Sequence, residues 1–134
     1  MKVFLCTPAI KAKSGPHLGL AYLTSALEKK DHQVFFQDGS LVSWRRLIDE
    51  IDKNKPDLVG IYINTVTRFE AIFLAEQIKT KLSLPIVVGG PHATIMADQL
   101  LRHYDCFDYV LRGEAEESLN NLLESIEKHQ SLEK

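Results

Sequence analysis

The 134-residue sequence predicts a three-layer α/β fold, a parallel sheet with helices on both faces. Three observations carry that expectation. Strand and helix patterns alternate from end to end, as consecutive βα units do. The apolar runs Lys2–Thr7, Leu58–Ile63 and Ile86–Val88 are nearly continuous rather than alternating, as strands buried on both faces require. The run that opens at Pro85 stops at Gly89-Gly90, leaving bare backbone at the carboxyl end of a strand, where open parallel sheets bind their ligands.

Taken in order, the first strand, Lys2–Thr7, closes at Pro8, and a loop carrying Lys11, Lys13, Ser14 and Gly15 runs from Ala9 to Pro16. A helix over Leu18–Lys30 follows, with Leu20, Leu23 and Leu27 along one face. Asp31-His32 makes a turn into a second strand, Gln33–Gln37. Asp38-Gly39-Ser40 then caps a helix to about Asp52, with Leu41, Trp44, Leu47, Ile48 and Ile51 inward. Lys53-Asn54-Lys55-Pro56 breaks the chain before the third strand, Leu58–Ile63. Thr67 and Glu70 have capping-box spacing, so the next helix starts at Arg68 and reaches about Lys81. Ile86–Val88 is the fourth strand, Ile95–His103 a helix, and Tyr109–Leu111 the fifth strand. The last helix begins near Glu114 with Leu119, Leu122, Leu123 and Ile126 on one face, and residues 129–134 form a polar, fraying tail or the start of a linker. Residues 1–128 are then one domain, and five βα units suit a flavodoxin-like strand order of 2-1-3-4-5.

Bulk properties narrow the function classes. A formal net charge of -2 supplies no basic field for nucleic acid or an anionic membrane. No apolar stretch approaches the length that spans a bilayer, so a cytoplasmic protein is expected. The two cysteines, Cys6 and Cys106, stand far apart, and an iron–sulfur cluster needs several thiolates. Cys6 reads as a small buried hydrophobe within the first strand. No carboxylate pair or nucleophile–base set stands out, so no catalysis is expected from this chain alone.

With order 2-1-3-4-5, the ligand crevice lies above strands one, three and four. Its lining would be the loops Ser14–Gly19, Asn64–Thr67 and Gly89–Thr94. A phospho-acceptor domain needs carboxylates after strands one and three to hold a hard cation, and Thr7-Pro8 and Asn64 stand there instead. Flavin phosphate wants a hydroxyl- and glycine-rich loop after strand one, but Pro8 and Pro16 lack amide donors. The GxGxxG dinucleotide fingerprint is absent. What remains is a broad crevice with backbone-rich rims, hydroxyls at Thr65, Thr67 and Thr94, and histidines at His17 and His92. His92 suits a ligand-facing position or a capping role in the next helix, and His103 a helix end. Glu114, Glu116 and Glu117 suit a binding site or simply a helix start, and Tyr62 a site or the core.

Five segments occur in order: Pro16-His-Leu-Gly-Leu-Ala-Tyr-Leu23, Asp31-His-Gln-Val34, Pro56-Asp-Leu-Val-Gly-Ile61, Val87-Val-Gly-Gly-Pro-His92 and Gly113-Glu-Ala-Glu116. Together they resemble the cobalamin-binding domain that precedes the radical S-adenosylmethionine (radical SAM) domain in B12-dependent radical enzymes, over about Val3 to Glu127. The resemblance implies a corrin ring across the strand ends and a nucleotide tail threaded beside the sheet. By position, His17, Leu18 and Gly19 begin the helix bordering the tail. Tyr62 and Asn64 stand for the serine and leucine of the family's SxL element. Gly89 and Gly90 match its paired glycines, followed by Pro91. Thr65, Thr67 and His92 would face the ring or its amides, and Gly113 and Glu114 belong to the matching Gly-Glu motif. The histidine-ligating branch carries DxHxxG after strand one, which is missing here. The lower cobalt face is then open, or taken by His17. Ala115 replaces the second glycine of Gly-Glu-Gly-Glu. The cluster-binding CxxxCxxC and its barrel are missing, so a radical SAM catalytic domain is expected as partner, in cis or in trans, for methyl transfer or related radical chemistry. A free-standing corrinoid methyl carrier is the alternative. A further one is a non-binding interaction domain in which Tyr62 fills the tail site.

Overall fold

The computed structural model describes residues 1–10 and 17–132, so the loop positions Lys11, Lys13, Ser14, Gly15 and Pro16 lie outside the described residues. A five-stranded parallel sheet has the order β2-β1-β3-β4-β5. Its strands are β1 (Lys2–Cys6), β2 (Gln33–Gln37), β3 (Leu58–Tyr62), β4 (Ile86–Gly89) and β5 (Tyr109–Val110). The helices are α1 (Leu18–Glu28), α2 (Trp44–Asn54), α3 (Arg68–Leu82), α4 (Pro91–His103) and α5 (Ala115–Leu132). In the centre of the sheet, Leu5 pairs with Gly60, Gly60 with Val87, and Tyr62 with Gly89.

Alternation along the buried strands sorts the core into two layers. Phe4, Val59, Ile61, Ile86 and Val88 pack with Leu47, Ile51, Leu74, Ile78 and Leu100 of α2, α3 and α4. Val3, Leu5, Leu58 and Val87 pack with Leu20, Leu23, Leu27, Leu119 and Leu123 of α1 and α5. Both cysteines are buried and free, and burial pushes the Cys6 thiol up to about 12 and the Cys106 thiol to about 11. Neither is a thiolate at neutral pH. No described helix is long and apolar enough to cross a membrane.

Several local expectations are corrected. Asp38 caps only a 3-10 turn, Gly39–Leu41, through Ser40 N–H at 2.9 Å, and Leu41 is 66% exposed rather than inward. Ser43 caps α2 instead, accepting from Arg46 N–H at 3.2 Å. Helix α4 starts at Pro91 rather than Ile95, because proline at a first helical position needs no amide partner. Its early part is kinked at Met96. Helix α5 runs on to Leu132, past the point where fraying was expected.

His32 is more than a turn residue. It is buried, with Nδ1 3.1 Å from the Met1 amino nitrogen and Nε2 3.2 Å from Asn120 Oδ1. The ammonium can only donate, so Nδ1 accepts and Nε2–H donates to Asn120. Asn120 in turn donates to Glu124 Oε1 at 2.9 Å, and the Met1 amino group also meets Glu127 Oε1 at 3.0 Å. This chain of bonds ties α5 to the sheet at the end opposite the strand carboxyl termini.

Candidate functional site

Helices α1 and α5 cover one face of the sheet side by side, out to the carboxyl ends of the central strands. A slot of about 200 Å³ opens there. Its floor is Leu5, Gly60, Tyr62, Val87 and Gly89, and its walls include Leu20, Leu23 and Leu119. Four of the five floor positions come from β3 and β4, at alternate residues that face the α1/α5 layer, so the alternation of the strands decides the lining.

Missing side chains keep the slot open. A Cβ at Gly19 or Gly113 would meet nothing within 4 Å, and one at Gly89 would meet only Leu111 Cβ at 3.8 Å. Gly60 differs, since its Cβ would press Leu5 Cδ2 at 2.6 Å. Gly90 is needed for its backbone: it sits at φ 116°, and a Cβ would stand 2.6 Å from Ile63 O. The polar lining comes from Glu114 and Glu116, around the start of α5. An apolar cavity of roughly 150 Å³ accepts a benzene ring. The larger, open slot therefore suits a flat group of about two fused rings.

The loops at the rim are tied together. Thr94 Oγ1 donates to Gly90 O at 3.0 Å and accepts from Gly113 N–H at 3.0 Å, bracing the β4 and β5 ends. Thr65 Oγ1 lies 3.3 Å from His92 Nδ1, linking the β3 and β4 loops. Burial and then the Arg68 guanidinium lower the His92 pKa, which favours the neutral ring. Asn64 Oδ1 accepts from Thr67 N–H at 2.8 Å and from Thr67 Oγ1 at 3.0 Å. The expected capping box is not formed; Asn64 does the capping, and the Thr67 hydroxyl is buried within the loop.

Six of the sequence-derived site residues line the slot: Gly19, Tyr62, Gly89, Gly90, Gly113 and Glu114. His17 precedes α1 with its ring edge-on to Tyr62, the centroids 4.4 Å apart. It also stands close enough to Asp38 to act on its charge. Burial raises the Asp38 pKa, but hydrogen bonds from Ser40 and Thr7 and the charge of His17 outweigh it, and the net shift is downward. Leu18 is 69% exposed at the start of α1, and Pro91 is exposed at the start of α4. Sequence reasoning missed Gly60, Leu111 and Leu119, whereas Glu116, read as a site residue or a helix start, and Ala115, read as a departure from the Gly-Glu-Gly-Glu motif, both line the slot. A glycine inside a strand was the available signal for Gly60.

A profile of the B12 binding domain matches residues 12–123, most of the chain. The chain belongs to the B12-binding domain family. Cobalamin is accordingly its cofactor class, and the glycine-cleared slot has room for an aromatic ring system. This B12-binding domain is 34% identical to an uncharacterized methyltransferase of Pyrococcus horikoshii, over 98% of this chain and 31% of that protein. It is 33% identical to the anaerobic magnesium-protoporphyrin IX monomethyl ester cyclase of Cereibacter sphaeroides, over 87% of this chain and 20% of the relative. Among solved structures, the cobalamin-dependent S-adenosylmethionine radical enzyme OxsB superposes with a TM-score of 0.77 at 20% identity, over 95% of this chain and 19% of OxsB. That likeness speaks for the fold. The domain thus spans about a third or less of the length of these curated relatives.

Proposed function

We propose that this chain is the cobalamin-holding module of a B12-dependent radical SAM enzyme, joined to or acting with a catalytic domain. The slot between α1, α5 and the ends of β1, β3 and β4 carries the reading, because it is cleared by glycines in a chain of the B12-binding family. When bound, cobalamin supplies a cobalt centre able to carry a methyl group, and the protein supplies position and surroundings. Leu5, Leu20, Leu23 and Leu119 would exclude water from the nucleotide tail. Thr65 and the His92 ring would offer hydrogen bonds to the corrin amides at the rim. The catalytic partner is supported by the relatives' greater length and by the methyltransferase and radical-enzyme names among them.

The described residues contain no cluster of histidine, cysteine and carboxylate groups able to hold a metal ion. Substrate chemistry is assigned to the partner on the strength of the relatives' greater length, of which this chain covers about a third or less. The non-binding alternative, with Tyr62 plugging the tail site, is disfavoured because the slot stands open beside its ring. Coordination of cobalt by His17 would compete with the edge contact that its ring makes to Tyr62.

Titration of the chain with hydroxocobalamin followed by desalting tests the reading. Retained corrin absorbance near one equivalent is expected. Band positions unchanged in His17→Ala would place no imidazole of that residue on cobalt. A colourless but cooperatively folding protein would overturn the module.

A further inference from the structure

Tyr62 gives an otherwise aliphatic slot one aromatic wall. Its ring has little freedom. The His17 imidazole meets it edge-on at 4.4 Å, with the planes at 67°. It also lies against the main chain of Gly90 along its Cδ2–Cε2 bond, where a Cβ on Gly90 would stand 3.1 Å from both atoms. A ring fixed in this way has lost its rotamer entropy before any ligand arrives. A flat aromatic group entering the slot can stack on it, whereas a saturated group of equal area gains only burial.

We propose that Tyr62 makes the slot selective for corrinoids whose tail ends in an aromatic base, through stacking of that base on its ring. This rests on the reading of the slot as the tail site. Serine is the residue expected at this position from the family pattern, and serine has no ring to stack. The recognised class is a neutral aromatic group of up to two fused rings, the size set by the slot.

The test measures dissociation constants of the full chain for cobalamin and for cobinamide, which has the same corrin ring without the nucleotide tail. Wild type, Tyr62→Phe and Tyr62→Leu are compared, the last keeping an apolar side chain while removing the π face. Wild type and Tyr62→Phe should prefer cobalamin by at least about tenfold, in line with burial of an aromatic group. Tyr62→Leu should weaken cobalamin roughly fivefold, the worth of one aromatic pair, and leave cobinamide within about twofold. An equal loss for both corrinoids in Tyr62→Leu, or an unchanged preference, would overturn the selectivity. Failure of the wild type to bind either corrinoid would overturn the tail-site reading itself, and the selectivity with it.

Discussion

Replacing Gly89 by leucine should abolish corrinoid retention while leaving the fold intact. Gly89 is the last residue of β4, and its missing side chain would point into the slot between Tyr62 and Leu111. The first carbon added there meets only Leu111 Cβ at 3.8 Å, an ordinary contact, and the backbone is outside the left-handed region. The added isobutyl group would then occupy the space of the ligand rather than displace the protein. Burying an aromatic face of roughly 150 Å² is worth about 4 kcal/mol, so its exclusion should weaken binding by on the order of 1,000-fold. Absorbance after desalting reads the loss, and thermal unfolding within about 3 °C of wild type shows that the core is intact. Normal retention by a folded Gly89→Leu chain would place the tail elsewhere.

Gly39→Ala should do the reverse, damaging the fold at a site away from the slot. Gly39 follows β2, and a Cβ would stand 2.1 Å from Thr7 O and 2.6 Å from Pro8 C and O. Those are backbone atoms at the end of β1, held in place by Gly39 N–H donating to Thr7 Oγ1 at 2.8 Å and by Thr7 Oγ1 donating to Asp38 at 3.1 Å. No rotamer change relieves such a contact. Destabilisation of about 3 kcal/mol is expected, with the unfolding midpoint falling by about 10 °C. Gly19→Ala is the matched control, because its Cβ meets nothing within 4 Å and alanine favours the helix. A Gly39→Ala chain as stable as wild type would show that the ends of β1 and β2 can separate.

The architecture was legible in the sequence because buried parallel strands write themselves as unbroken β-branched runs. Gln33–Gln37 was bounded correctly, and Leu58 and Ile86 open their strands as read. Helix starts were harder. Asp38-Gly39-Ser40 looked like the cap of a long helix, yet the chain makes a 3-10 turn and restarts at Ser43, a second capping residue close behind the first. At Thr67, the capping spacing was real but Asn64 reached the same amide from the other side.

The rims of the site were legible for the same reason as the strands: Gly89-Gly90 and Gly113 punctuate them. The interior was not. That Gly60 and Val87 share a floor with Tyr62 depends on register and on which face α1 and α5 cover. That Leu119 closes the slot depends on the angle at which α5 leaves the sheet. Neither is written in local spacing. Thr94 illustrates the limit well: read as a crevice hydroxyl, it is spent bracing two loops.

The central claim is a place, the slot between α1, α5 and the strand ends, and amide chemical shifts test a place most directly. Hydroxocobalamin would be titrated into the ¹⁵N-labelled chain. The largest changes are expected at Gly19, Gly89, Gly90 and Gly113, while the Trp44 indole, on the opposite side of the sheet with Phe73, stays nearly still. Largest changes around Trp44, Phe69 and Phe73, or none at the four glycines, would contradict the account.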